Sequence, residues 1–233
     1  MAGLLEGEIA VVTGGSRGIG RAIALALCGE GAAVALCGRD REQCDRTVRE
    51  LSPSASAGLL GLGCDVGVAA EVERFADDVR RRLGRPTLLF NNAGLVARGR
   101  LDEQEVADWR TVIDANLYGT YLVTRAFLGD MRRAGRGRIV NVSSISGRVG
   151  TPRLTAYCAA KHAVVGLTRA LAEEVRDDGI QVNAICPGSV DTRMLEGSGF
   201  SADMAPADVA RVALFLATTA PAALTGSCLD VFG

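Results

Sequence analysis

Of the 26 basic side chains in the 233-residue chain, 25 are arginines and one is a lysine, Lys161. Lys161 stands four residues after Tyr157 in the segment Tyr157-Cys158-Ala159-Ala160-Lys161. At that spacing the two side chains share one face of a helix. An ammonium beside a phenol favours the phenolate, drawing the tyrosine pKa from about 10 toward the range of an acid/base catalyst. The planar fork of arginine does not replace such a compact charge. The pair therefore reads as proton-transfer machinery, with an unremarkable surface pair as its alternative. Upstream, an apolar run ends in Ser143-Ser144-Ile145-Ser146-Gly147. The Ser144 hydroxyl is a candidate donor to a substrate carbonyl or its developing alkoxide while Tyr157 gives the proton. Ser143 and Ser146 read as turn-forming hydroxyls.

A second set of residues has the pattern of a dinucleotide site. Thr13-Gly14-Gly15-Ser16-Arg17-Gly18-Ile19-Gly20 lies between the first strand-like run and the first helix-like stretch. Glycines there permit positive φ and close approach of backbone to a pyrophosphate, and a helix N-terminus offers N–H donors to phosphate. The second strand runs out at Gly38-Arg39-Asp40, where an acidic residue would bind an adenosine 2′-hydroxyl. Gly38 stands in that place, and Arg39 with Arg17 can clamp a 2′-phosphate, so NADP is favoured over NAD. Asp40 is the one feature pointing the other way. After the third strand comes Cys64-Asp65-Val66, with Asp65 able to accept from an adenine amino group. After the fourth comes Asn91-Asn92-Ala93-Gly94, whose small pair lets backbone approach the cofactor. Pro187-Gly188-Ser189-Val190-Asp191-Thr192 follows the sixth, as a rigid turn for the nicotinamide end.

The elements needed to position these groups are repeated βα units. Glycine-bounded apolar runs near 8–12, 33–37, 58–63, 87–90, 137–142, 180–185 and 227–231 alternate with amphipathic stretches over roughly 19–30, 41–51, 68–83, 103–129 (interrupted), 155–177 and 206–217. Parallel strands require right-handed crossovers, which gives an α/β fold: a doubly wound parallel sheet of about seven strands with helices on both faces. Residues 1–233 read as one domain carrying both cofactor and substrate sites. Ligands of such sheets bind beyond the carboxyl ends of the strands, where every candidate residue falls.

Composition narrows the function further. A net charge of −1 argues against nucleic acid, and the run Arg80-Arg81-Arg82 with Arg85 reads as a helix end. Seven cysteines without a C-x-x-C pattern read as reduced thiols of a cytoplasmic protein. One histidine, His162, offers neither a metal cluster nor a Ser-His-Asp triad, so no metal is expected. No apolar run approaches a membrane span, and no charged leader precedes the first strand.

Taken together, the Thr13–Gly20 loop, Asp65, Asn91-Asn92-Ala93-Gly94, Asn116, Ser144, Tyr157 with Lys161, and Pro187-Gly188 resemble the short-chain dehydrogenase/reductases over essentially the whole chain. The resemblance implies a single-domain Rossmann fold and a catalytic tetrad of Asn116, Ser144, Tyr157 and Lys161. In it Asn116 bends its helix and holds a water leading to Lys161, and Lys161 also binds the nicotinamide ribose. It further implies an extended nicotinamide cofactor and a homodimer or homotetramer. Within the family the chain looks most like 3-oxoacyl-carrier-protein reductases and related bacterial ketoreductases, which points to reduction of a ketone or acyl thioester by NADPH. An NAD-dependent dehydrogenase of a steroid, sugar or other alcohol is the alternative, and a non-catalytic dinucleotide-binding regulator a remoter one. Two departures stand out: the substrate lid, about 193–206, is roughly a dozen residues shorter than in those reductases, and the chain stops at Phe232-Gly233. The short lid predicts a mobile segment over an open pocket.

Overall fold

In the computed structural model, which describes residues 3–233, every strand pairs in parallel with its neighbours. The strands are β1 Ile9–Thr13, β2 Ala33–Gly38, β3 Leu59–Gly63, β4 Leu88–Asn91, β5 Gly137–Val142, β6 Ile180–Pro187 and β7 Cys228–Val231. Their order, β3-β2-β1-β4-β5-β6-β7, reverses direction between β1 and β4. The chain adopts the doubly wound Rossmann-like sheet expected from its βα alternation, with each strand within two residues of its expected bounds.

Successive side chains of a strand face opposite sides, so each apolar strand feeds two cores. Ala10 and Val12 of β1 pack with Ile23 and Leu27 of α1 (Gly18–Gly29) and Val209 and Leu216 of α7 (Pro206–Ala217). Val11, between them, faces Phe75 and Val79 of α3 (Ala69–Arg82) and Phe127 and Met131 of α5 (Gly119–Ala134). The same side takes Leu171 and Ala172 of α6 (Thr155–Glu174). Phe75 and Phe127 meet edge to face at 6.0 Å, the geometry favoured by the ring quadrupole. Arg80 of the arginine run at the end of α3 is structural: the fully buried Asp130 carboxylate accepts from Arg80 at 2.8 Å and Arg133 at 2.6 Å, with Arg85 at 3.5 Å. None of the described helices is long and apolar enough to cross a membrane.

The interrupted helix expected over 103–129 is two helices, α4 (Val106–Ile113) and α5, joined by one π-helical turn, Asp114–Tyr118. Gly119 N–H bonds back five residues to Asp114 O. Two side chains act on backbone carbonyls at the widened turn. Asn116 Nδ2 donates to Val112 O at 2.9 Å, and Thr120 Oγ1 donates to Asn116 O at 2.9 Å. Single π turns of this kind often mark functional sites.

Candidate active site

The reversal between β1 and β4 is held by a residue outside the predicted site set. Thr13 Oγ1 accepts the N–H groups of Asn92 and Ala93, both at 3.0 Å, and donates to Phe90 O at 3.4 Å. Asn92 Nδ2 returns bonds to Thr13 O and Gly14 O at 3.0 and 3.1 Å. The glycine loop is therefore pinned to the loop after β4. Gly14 sits at φ +61° with Ala93 Cα 2.9 Å from where its Cβ would be, and a Cβ on Gly20 would overlap Gly14 O and Asn92 Nδ2. Gly18, at φ +51°, faces Thr192, so the turn after β6 closes on the same loop. Val190 is buried and bridges to Met204.

The start of α1 suits an anion. Its cap residue, Arg17, makes no side-chain capping bond, and the first turn holds no acidic residue. Two other helix starts are occupied: Asp40 Oδ1 caps α2 (Arg41–Leu51) by accepting Gln43 N–H at 3.0 Å, and Asp208 Oδ2 accepts Ala205 N–H before α7. The N–H donors of α1, aimed past the carboxyl end of β1, fit a pyrophosphate. Asp40, the residue that favoured NAD in the sequence, is engaged as a cap. Gly38 lies against Ser16 Oγ, leaving Arg17 and Arg39 exposed beside it. Their neighbours Arg21 and Arg41 are paired with Glu50 and Asp45, whereas neither Arg17 nor Arg39 has an ion pair among the described residues. Asp65 Oδ1 accepts Gly67 N–H at 2.9 Å, and Val66 packs on Gly119 of α5. Pro187 ends β6 opposite Val231, with Gly188 N–H bonded to Val231 O.

The four side chains expected to act together meet at the carboxyl ends of β4 and β5. Tyr157 and Lys161 lie on the buried face of α6, with Lys161 Nζ 5.5 Å from the Tyr157 ring centre. Nζ donates to Val142 O at 2.9 Å. Asn116 Nδ2 donates to Leu95 O and Val112 O, leaving Oδ1 buried with no partner among the described residues. That oxygen would lie 2.5 Å from a Cβ on Gly94, and Lys161 Nζ would lie 3.6 Å from the same Cβ, so both polar atoms face one small opening. An orphaned acceptor and an ammonium there fit a bound ribose or water. Ser144 Oγ accepts Ser146 N–H at 3.1 Å and faces the Tyr157 phenol.

The protonation of the pair differs from expectation. Burial pushes the Tyr157 phenol up to about 12, and the Ser144 hydroxyl and the Arg98 charge only partly oppose it. Burial pushes Lys161 down to about 8. The phenol pKa is raised rather than lowered because desolvation in the pocket outweighs the groups that oppose it. A neutral phenol suits a proton donor. Ser143, read as a turn hydroxyl, donates to Lys161 O at 2.9 Å and ties α6 to β5.

The lid leaves and rejoins the fold through Asp191 N–H to Met204 O at 2.9 Å and Asp203 N–H to Ser189 O at 3.0 Å. It seats Met194 Sδ 3.8 Å from Tyr157 Oη, and Arg98 Nη2 donates to Met194 O at 2.7 Å. Around Tyr157 the packing is apolar: Val112 and Ala156 with Leu95, Val96, Ala97, Trp109 and Leu154.

The short chain dehydrogenase family model matches residues 8–200. The chain belongs to the short-chain dehydrogenase family. It is an oxidoreductase, and members of its family bind NAD(P)(H). This short-chain dehydrogenase is 36% identical to 2-(S)-hydroxypropyl-CoM dehydrogenase 3 of Xanthobacter autotrophicus, covering 100% of this chain and 98% of that one. It is also 36% identical to the 3-oxoacyl-[acyl-carrier-protein] reductase FabG of Pseudomonas aeruginosa, covering 98% and 97%. A crystal structure of a short-chain type dehydrogenase/reductase from Mycobacterium marinum superposes with a TM-score of 0.93 at 28% identity, over 98% of this chain and 95% of that one. Sequence reasoning left Thr13, Ser143, Arg98 and Met194 out of this dehydrogenase's site. The place of Thr13 at the mouth of β1 was the only available signal.

Proposed function

We propose that the enzyme reduces a ketone to a secondary alcohol with NADPH, Tyr157 giving the proton. The observation that carries this reading is the Tyr157 phenol, kept protonated by burial and facing the Ser144 hydroxyl. When bound, the nicotinamide supplies a hydride to the carbonyl carbon. Tyr157 Oη passes its proton to the carbonyl oxygen as the alkoxide develops, and Ser144 Oγ donates a hydrogen bond to that oxygen, so charge is met by fixed donors in a water-poor pocket. Lys161, held by Val142 O, would bind the ribose hydroxyls. The unpartnered Oδ1 of Asn116 would accept from a water leading toward Nζ, a route for replacing the Tyr157 proton.

Gly14, Ser16, Gly18, Ile19 and Gly20 would hold the pyrophosphate against the uncapped start of α1. Asp65 and Val66 would take the adenine, and Asn92, Ala93, Gly94, Pro187, Gly188, Val190 and Thr192 the nicotinamide side. The preference for NADPH is supported by Gly38, by the engagement of Asp40 as a helix cap, and by the unpaired guanidiniums of Arg17 and Arg39. We read residues 1–233 as one domain, working as a homodimer or homotetramer in the cytoplasm. Alcohol oxidation with NAD uses the same groups in reverse, and the relative named a dehydrogenase makes it the second reading. Initial rates with ketones and the matching alcohols, each with phosphorylated and unphosphorylated cofactor, separate the two. Faster ketone reduction with NADPH supports the first, and a preference for alcohol with NAD the second.

A further inference from the structure

We propose that Arg98 anchors an anionic group carried on the ketone substrate itself, so that the natural substrate is a keto acid or similar oxyanion with its charge a few atoms from the carbonyl. The inference rests on the ketone-reduction reading and names the substrate class for that site. Arg98 lies in the loop between β4 and α4. Its Nη2 donates to Met194 O at 2.7 Å, and the sulfur of the same Met194 lies 3.8 Å from Tyr157 Oη. One lid residue thus touches both the guanidinium and the proton donor, through its backbone oxygen and its sulfur. The Arg98 charge also acts on the phenol, favouring its ionised form.

The backbone brings two more arginines near. Gly99 N–H bonds to Arg153 O at 3.0 Å, and Arg193 directly precedes Met194. Arg153 holds φ 64°, a left-handed conformation rare outside glycine and costing on the order of 1 kcal/mol. Arg98, Arg153 and Arg193 are exposed and have no ion pair among the described residues, while Arg100 on the same loop is paired with Asp102 and Glu103. With one Nη2 hydrogen given to Met194 O, Arg98 keeps the other beside Nε or Nη1, which leaves one two-donor edge of the fork that suits a carboxylate. The cluster packed around Tyr157, with Trp109 and Leu154, is apolar. An apolar wall with a cationic end matches a molecule that is greasy at the ketone and charged a short distance away.

The test pairs two ketones of one shape: benzoylpropionate and its neutral methyl ester, with NADPH. The wild-type enzyme should favour the acid in kcat/KM by at least about tenfold, and Arg98→Ala should lower the acid by roughly 10- to 100-fold, the range of a charged hydrogen bond, while changing the ester by less than about threefold. Arg98→Lys should recover part of the loss, and Arg100→Ala should leave the acid-to-ester ratio unchanged. A wild-type preference for the ester, or equal losses on both compounds in Arg98→Ala, overturns the proposal, the latter because Arg98 would then only brace the lid. Acetoacetyl-coenzyme A and neutral acetoacetyl-N-acetylcysteamine form a second pair, differing in phosphates far from the ketone. Arg98→Ala should leave their ratio unchanged, and a selective loss on the coenzyme A thioester would overturn the proposal in favour of a carrier phosphate. Calorimetry of benzoylpropionate with wild type and Arg98→Ala, with and without NADP+, stands apart from turnover. Binding weakened at least tenfold by the substitution supports the anchor even if no ketone is reduced, and no binding to wild type overturns it.

Discussion

Replacing Lys161 by methionine should change how stability depends on pH in a direction worked out from its burial. Lys161 is 4% exposed, and its pKa is lowered from 10.5 to about 8. The folded enzyme therefore binds this proton less tightly than the unfolded chain does. Below about pH 8 both states hold it, and the folded state carries the full penalty of a buried charge, about 3 kcal/mol at about 1.4 kcal/mol per unit. As pH rises from about 8 toward 10.5 the unfolded chain stays protonated while the folded one releases its proton, so the penalty fades. From about pH 6.5 to about 9.5 the wild type should gain about 2 kcal/mol relative to Lys161→Met. At neutral pH the variant sheds the penalty but leaves Val142 O without its Lys161 donor, a loss of about 1–3 kcal/mol, so its net change there is small. Urea unfolding of both proteins at the two pH values measures the difference. A gap that stays constant within about 0.5 kcal/mol would show that Lys161 is not desolvated as described.

Arg39→Ala should weaken NADPH at least tenfold more than NADH, since a charged hydrogen bond to phosphate contributes about 1.5–3 kcal/mol, and equal losses in fluorescence titrations would remove the clamp. Thr13→Val deletes the acceptor for two N–H groups at the β1/β4 reversal and should lower stability by about 2–4 kcal/mol in chemical unfolding; a loss under about 1 kcal/mol would mean that water replaces the hydroxyl. Gly94→Ala puts a Cβ 2.5 Å from Asn116 Oδ1, so turnover should fall at least about tenfold while circular dichroism stays unchanged, and full activity would show that Asn116 need not stay in place.

Much of the fold was legible because each strand is a glycine-bounded apolar run and each helix an amphipathic one. Neighbouring chain segments fix those signals locally. The π turn was visible only as an interruption, and the bond from Asn116 to Leu95 O, across 21 residues, was not visible at all. The glycine loop and the Tyr157/Lys161 pair announced themselves by spacing. Thr13 and Ser143 did not, because a hydroxyl at a strand end looks the same whether it caps a turn or joins two elements. The pKa directions were unreadable for a similar reason: i, i+4 spacing says that Tyr157 and Lys161 are neighbours and says nothing of how dry the pocket is. The lid's length was plain in the sequence. That Met194 meets Tyr157 with its sulfur and Arg98 with its carbonyl was not, because those partners lie 37 and 96 positions away.

The most direct test is to compare Tyr157→Phe with wild type in NADPH-dependent ketone reduction, measuring NADPH affinity in parallel. The variant removes one oxygen, which lies 3.8 Å from Met194 Sδ and faces the Ser144 hydroxyl, so the fold and cofactor site should persist. Turnover should fall by at least about a thousandfold, roughly 4 kcal/mol of transition-state stabilisation, with NADPH affinity within about threefold of wild type. Residual activity above a few per cent, with cofactor binding intact, would contradict Tyr157 as the proton donor.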